Sequence, residues 1–181
     1  MPLASARGRG IGEFVKKKQS INIYKFNSFI FTMPYIRIWV HLVFATKKRE
    51  PLFKKDIREP VYQHIINNCK DKGIFLEIIG GYVEHIHCLI SLGSMQTIAE
   101  VTQLIKGESS FWVNKNQLVT YKFEWQNDYY AVSVSESQVK KVIRYIENQE
   151  IHHACKSYEQ EEKEIIDKYG FTLINDKLSS E

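Results

Sequence analysis

The sequence contains few of the residues that mark special classes of protein. Among its 181 residues there are three cysteines, four prolines and nine glycines. Cys69, Cys88 and Cys155 are an odd number at unrelated spacings, so we expect no disulfide framework, no cysteine zinc site and a cytoplasmic setting. The low proline and glycine content excludes a collagen-like or low-complexity chain. No run of about 18 apolar residues predicts a membrane-spanning helix.

Apolar side chains, in contrast, are plentiful. The sequence is 44% hydrophobic and 13% aromatic, which is enough for a folded core and excludes intrinsic disorder. Its length predicts one domain with short extensions. We place a basic N-terminal extension at residues 1–32, either disordered or upstream of a true start at Met33, the folded domain at 33–155, and a helical tail at 156–181.

The charge is distributed unevenly along the chain. Residues 1–25 carry a net charge of +5, so the remainder carries −1 of the total of +4. Any binding of nucleic acid by the body of the protein must therefore depend on where individual Lys and Arg residues lie.

Hydrophobic periodicity predicts an α+β fold. The predicted strands are residues 35–46, two strands that meet in a hairpin turn at Gly80-Gly81, and a strand within 123–134. The predicted helices are residues 54–72, 97–116, 136–153 with Ser135 as N-cap, and 156–168. This order is the split β-α-β-β-α-β arrangement of ferredoxin-like domains, a four-stranded antiparallel sheet with two helices on one face, followed by additional helices.

Two histidines on a predicted strand are the first candidate site. Because residues i and i+2 of a strand point to the same face, His85 and His87 can converge on one metal ion while Ile86 points into the core. Two histidines alone make an incomplete metal site. They can equally be two histidines on the surface of a sheet.

The second candidate is a pair on the last long helix. Tyr145 and Gln149 are four residues apart, so their side chains can address one point beside the apolar stripe of that helix. A packed tyrosine and a solvated glutamine would have the same spacing. We interpret His152 and His153 as residues that complement the helix dipole, and His41 as a core histidine.

Basic and polar residues form a third candidate, a DNA-binding surface. One helix combines basic, hydroxyl, aromatic and amide side chains suited to a phosphate backbone and a stacked base: Lys106, Ser109, Ser110, Trp112 and Asn114. A basic connector, Lys47-Lys48-Arg49, can also hold phosphates. The alternative is an ordinary helix surface and a solvated run of charge.

Together these segments resemble the single-tyrosine HUH transposases of the IS-two-hundred type insertion sequences, which include the REP-associated tyrosine transposases. The matching segments are YIRIWVHLVFATKKREP, GGYVEHIHCLISL, IKGESSFWVN, WQNDYYAVSVSES and VIRYIENQEIHH, in this order over about residues 34–155. Residues 1–32 have no counterpart, which favours Met33 as the start. The chain departs from the family at Asp128-Tyr129-Tyr130, where Gly-Tyr-Gly is frequent, and at Val132, where Phe is usual.

The resemblance implies a transposase that cleaves and rejoins single-stranded DNA at insertion-sequence ends through a 5′-phosphotyrosine. It implies Tyr145 as the nucleophile, and His85, His87 and Gln149 as ligands of a divalent ion, Mg²⁺ or Mn²⁺. The implied partners are the single-stranded DNA hairpin ends of a mobile element, without a nucleotide cofactor or a membrane.

We also predict a homodimer, with active sites completed either within one subunit or across the two subunits. The apolar stripe of the tyrosine helix needs a covering surface, and the resemblance implies dimers; the stripe is Val139, Val142, Ile143 and Ile146. The alternative function is a non-catalytic, domesticated ferredoxin-like module that binds single-stranded nucleic acid. A metal-dependent hydrolase or a structural zinc protein is disfavoured, since the sequence offers no further acidic or histidine ligand close to the pair.

Overall fold

The computed structural model describes residues 35–153 and 157–169, and the backbone of two short strands before them. These strands, β1 (Lys25–Phe26) and β2 (Phe29–Ile30), pair with each other in antiparallel fashion. They belong to a unit, Met1–Pro34, that is separate from the unit Tyr35–Glu181. The rest of the predicted N-terminal extension, Cys155 and residues 170–181 of the predicted tail lie outside the described residues.

The second unit has the predicted ferredoxin-like order, so the α+β fold is confirmed. Its elements are β3 (Ile38–Ala45), α1 (Lys55–Asp71), β4 (Phe75–Gly81), β5 (His85–Leu92), α2 (Ile98–Lys115) and β6 (Tyr130–Val134). Three further helices follow: α3 (Val139–Glu147), α4 (Gln149–His153) and α5 (Tyr158–Tyr169). The four strands form an antiparallel sheet in the order β4-β5-β3-β6. None of the described helices is long and apolar enough to cross a membrane.

Alternate residues of the two central strands face two different cores. The larger core lies between the sheet and helices α1 and α2, and Val61 and Ile105 are among its helix residues. The sheet contributes Val40, Leu42, Phe44, Ile86, Cys88 and Ile90 to it. Full burial of an aliphatic side chain of this size contributes about 1.5–3 kcal/mol. Because successive side chains of a strand point to opposite faces, the intervening residues of β3 and β5 point to the other face of the sheet.

Helix α3 covers that opposite face. Its residues Val139 and Ile146 pack against Trp39 of β3 and Leu89 of β5. The apolar stripe for which we predicted a second subunit is thus buried against the sheet of its own chain. This removes the geometric argument for a dimer, and the homodimer stays a prediction.

The two glycines at the end of β4 do not form the hairpin turn that the sequence predicted. Gly80 and Gly81 pair with β5, and the turn is made by residues 82–84. A Cβ atom at position 80 would lie 2.5 Å from the backbone oxygen of Ile146. Glycine is therefore needed here because α3 lies directly on β4.

The predicted helix over residues 136–153 is interrupted. A 3₁₀ turn, Glu136–Gln138, precedes α3, and Ser135 makes no side-chain capping hydrogen bond to it. Asn148 (φ −96°, ψ 19°) then separates α3 from α4. The side chain of Asn148 donates to the backbone oxygen of Arg144 at 2.6 Å, and the Asn148 backbone N–H also bonds to that oxygen, at 3.1 Å.

Candidate active site

The two histidines of β5 lie on the sheet face that α3 covers. His85 and His87 are both fully buried, while Ile86 between them belongs to the larger core. This is the orientation that strand alternation predicts. Two imidazoles that are buried away from water need other polar groups around them, and helices α4 and α5 provide such groups.

His85 is surrounded by three potential ligands. Its Nε2 lies 3.3 Å from Oε1 of Gln149, 3.2 Å from Nε2 of His153 and 3.7 Å from Oε2 of Glu161. The Glu161 oxygen lies 3.0 Å from Nε2 of His153. The ligand atoms of His85, His153 and Glu161 all lie within 4.8 Å of one another, close enough to bind a single ion.

His87 joins this cluster through the second carboxylate oxygen. Its Nε2 lies 3.4 Å from Oε1 of Glu161. Within the described residues, this nitrogen and both Glu161 oxygens are buried without a hydrogen bond. Buried polar atoms without hydrogen bonds are rare and call for a specific explanation. Neutral imidazoles, an amide oxygen and one carboxylate are suitable ligands for a divalent cation, so the donor set fits a metal ion.

Burial shifts the proton equilibria of this cluster. It lowers the pKa of His87 well below its ordinary value, and the neighbouring histidines add to this effect, so the imidazole stays neutral. Burial, and then the charges of Glu84 and Glu164, raise the pKa of Glu161 to about 8. A neutral imidazole keeps the lone pair that a metal ligand needs. A bound cation would provide the charge that favours the ionised Glu161.

Hydrogen bonds at the far ring nitrogens orient both histidines. Nε2 of His41 lies 3.0 Å from Nδ1 of His87, and Oε1 of Glu84 lies 3.2 Å from Nδ1 of His85. Each contact leaves the Nε2 atom facing the cluster. Such contacts commonly fix the ring orientation and the tautomer of metal-binding histidines.

Helix α5 is held over the cluster by contacts on both sides of Glu161. The ring of Tyr158 stacks on His85 at a centroid distance of 4.4 Å. The hydroxyl group of Tyr130 donates to Oε1 of Glu162 at 2.6 Å, and Arg49 also pairs with Glu162. These contacts connect α5 to β5, β6 and the connector after β3.

Tyr145 lies beside the cluster on α3. Its half-buried ring meets His87 edge to face at a centroid distance of 5.6 Å, and lies 6.1 Å from His41. It also contacts His152 of α4 at 5.4 Å. The structure therefore brings Tyr145, both strand histidines and Gln149 into one region of a single chain.

Two members of the cluster were missed by the sequence analysis. The position of His153 at a helix end suggests a role in complementing the helix dipole, and Glu161 lies beyond the predicted domain boundary at residue 155. The spacing of Gln149 and His153 on α4, four residues apart, is a signal that could have indicated His153. Glu161 is one of several glutamates in a charged helix, and nothing in the sequence distinguishes it. With these two residues present, a lack of further ligands no longer disfavours the alternative of a metal-dependent hydrolase or a structural zinc protein.

Several predicted DNA-binding residues instead have structural contacts. Lys106 donates to the backbone oxygens of Gln126 and Asn127 at 2.6 and 2.9 Å. Buried Ser109 accepts a hydrogen bond from Nε1 of Trp125 at 2.9 Å. These bonds fix the connector between α2 and β6.

Most of the other predicted DNA-binding residues are also engaged within the domain, and their role in DNA binding stays a prediction. Asn114 bonds to both backbone groups of Phe123, at 2.7 and 2.9 Å. Ser110 donates to the backbone oxygen of Gly107, Trp112 stacks on His64, and Lys47 pairs with Glu124. Lys48 is exposed.

The fold and the donor cluster define an α+β domain with a buried candidate metal site beside a tyrosine. Residues 35–149 match the model of a family described as "Transposase IS200 like". The chain therefore belongs to the IS200-like transposases, as its resemblance to them predicted, and has a transposase role.

Solved structures provide further comparisons. A REP-associated tyrosine transposase bound to a REP hairpin is 15% identical, with a TM-score of 0.51, over 71% of this chain and 74% of that chain. A candidate transposase from Deinococcus radiodurans R1 is 20% identical, with a TM-score of 0.49, over 70% of this chain and 98% of that chain. At 15% identity, the similarity to the REP-associated tyrosine transposase shows the fold alone. No curated protein matches the sequence significantly.

Proposed function

We propose that this protein cleaves and rejoins single-stranded DNA at the ends of a mobile element, with Tyr145 as the nucleophile and a divalent cation at the histidine cluster. The observation that carries the proposal is the contact between Tyr145 and His87, at a ring centroid distance of 5.6 Å, next to a cluster of buried ligand atoms. Both residues lie within the part of the chain that matches the family.

In the proposed reaction the Tyr145 oxygen attacks a DNA phosphorus atom. A bond forms between this oxygen and phosphorus, the bond from phosphorus to the 3′ oxygen breaks, and the tyrosine proton is lost as the 3′ oxygen gains one. A free tyrosine has a pKa of about 10 and is a weak nucleophile at neutral pH. A bound divalent cation supplies Lewis acidity at a non-bridging phosphate oxygen.

The cation would be held by His85, His87, Gln149, His153 and Glu161. Three imidazoles favour Mn²⁺ over Mg²⁺, although the carboxylate and amide oxygens suit either. The resulting 5′-phosphotyrosine keeps a phosphate ester bond, so a free 3′ hydroxyl group can reverse the reaction. Rejoining therefore needs no nucleotide cofactor.

For the DNA partner we propose a single-stranded hairpin end. The structurally similar REP-associated transposase is bound to a REP hairpin, and this supports the same class of ligand here. The exposed Lys48 in the basic connector after β3 is available to contact phosphates.

A labelled oligonucleotide that carries the end of the host element tests the proposal. With Mn²⁺ or Mg²⁺ we expect a protein–DNA adduct that resists denaturation, and no adduct with Tyr145→Phe or with chelator. A mobility shift without an adduct would instead indicate a non-catalytic nucleic-acid-binding protein. Release of both DNA ends without an adduct would indicate a hydrolase.

A further inference from the structure

Helix α5 leaves the candidate metal site with no open side. The exposed fractions are 0% for His85 and His87, 1% for Gln149 and 2% for Glu161. A DNA phosphate cannot reach atoms that are buried to this degree. The arrangement with α5 docked is therefore closed to the substrate of the proposed reaction.

The residue that closes the site is itself a potential ligand. Glu161 directs one oxygen towards His153 at 3.0 Å and the other towards His87 at 3.4 Å. Its carboxylate and a DNA phosphate both bring negatively charged oxygen atoms, the type of ligand that Mg²⁺ and Mn²⁺ prefer. The carboxylate and the phosphate can therefore compete for the same position on a cation.

Contacts outside the cluster are suited to a helix that docks and releases. Glu162 binds Tyr130 and Arg49, and the Arg49 guanidinium lies 5.3 Å from the centre of the Tyr158 ring. The Tyr158 ring is also buried in a small apolar cluster with two residues of β3. Release of α5 opens this small cluster but neither of the two larger cores.

We propose that Glu161 binds the same cation as the histidines, so that the cation ties α5 to the sheet, and that DNA phosphate must displace Glu161 to reach it. This inference rests on the metal site of the proposed function. Binding is reciprocal: a cation that strengthens α5 docking is itself bound more tightly when α5 is docked. DNA, which needs the open form, shifts the equilibrium the other way.

The test measures hydrogen–deuterium exchange in residues 158–169 of the full-length protein, together with Mn²⁺ affinity by calorimetry. In the native protein we expect Mn²⁺ to slow exchange in α5. Glu161→Gln should lose this protection and bind Mn²⁺ more weakly, by roughly 10-fold or more. The matched control is Asp167→Asn, which removes one exposed carboxylate from the same helix and should behave like the native protein.

Adding an uncleaved oligonucleotide to Mn²⁺-loaded Tyr145→Phe protein tests the displacement. We expect exchange in residues 158–169 to rise to the level seen without Mn²⁺. Continued protection in the DNA complex would overturn displacement, and unchanged Mn²⁺ affinity in Glu161→Gln would overturn ligation. Failure of the proposed function would look different, as native protein that binds no Mn²⁺ or that binds it and forms no adduct.

Glu162→Gln provides a second variant if Glu161→Gln melts at a lower temperature without metal. It weakens the contacts of α5 with Tyr130 and Arg49 but retains Glu161. If Glu161 is a ligand, Mn²⁺ restores the protection of α5 in this variant. If Mn²⁺ leaves exchange unchanged there, the proposal is wrong.

Discussion

Nε2 of His41 lies 3.0 Å from Nδ1 of His87, so a histidine of β3 fixes the ring of a histidine of β5. Only one of these two nitrogens can carry the shared proton. If Nδ1 of His87 donates it, Nε2 of His87 keeps its lone pair and faces Glu161. His41 is then a positioning residue for a metal ligand.

We therefore expect His41→Ala to weaken Mn²⁺ binding by about 10- to 100-fold, as is typical when such a partner is lost. Calorimetry on the metal-depleted protein measures this. His64→Ala is the control, because His64 stacks on Trp112 at the other face of the sheet. Equal Mn²⁺ affinity in the two variants would show that His41 does not orient His87.

Two glycines, Gly80 in β4 and Gly107 in α2, should respond oppositely to alanine. At Gly80 the new Cβ would lie 2.5 Å from the Ile146 backbone oxygen, so we expect a loss of about 1–3 kcal/mol in the free energy of unfolding. At exposed Gly107, within α2, a Cβ meets nothing within 4 Å, and we expect a gain of about 0.5–1 kcal/mol. Urea denaturation measures both, and a stable Gly80→Ala variant would contradict the close contact of α3 with β4.

The contact between Tyr145 and His87 within one chain predicts active sites assembled in cis. Tyr145→Phe and the His85→Ala, His87→Ala double variant should each fail to form an adduct, because each lacks part of the site. Their mixture should also form none. An adduct on the histidine variant would show that subunits share sites, whereas light scattering tests the homodimer itself.

Lys106 should contribute to the stability of the fold more than to DNA binding. Its ammonium group donates to backbone oxygens of Gln126 and Asn127, and burial lowers its pKa. We expect Lys106→Met to lower the free energy of unfolding by about 1–3 kcal/mol. Lys115→Met, an exposed change in the same helix, should cost less than about 1 kcal/mol. A normal stability with a reduced salt dependence of oligonucleotide binding would favour a direct DNA contact instead.

The fold was predictable because its signals are local. The apolar alternation in β3 and the helical spacing in α1 and α2 indicate the elements to within a few residues, and their order indicates the sheet. The double glycine misled because Gly-Gly marks a turn and a close backbone approach equally well. The break at Asn148 is a local change in backbone dihedral angles that leaves the hydrogen bonds from Asn148 to Arg144 and from His152 to Asn148 in place, so the apolar periodicity does not reveal it.

The candidate site was predictable only in part for a related reason. His85 and His87 stand out because histidines are unexpected in an apolar strand. Glu161 lies in a helix rich in exposed charge, and only its contact with the sheet distinguishes it from its neighbours. The hydrophobic periodicity of the sequence cannot indicate which of several glutamates in a helix is buried.

Both faces of the central strands β3 and β5 are covered, one by α1 and α2 and the other by α3 and α5. Four-stranded sheets that read single-stranded RNA keep one face bare and stack bases on it. With α3 and α5 docked, neither face of this sheet is free to stack bases, so under the proposed function a DNA strand would first be bound by loops and helix ends around the sheet. Loops tolerate sequence change better than packed strands. Under the proposed function, the residues that select a DNA target therefore lie apart from the packed site and can change without disturbing it.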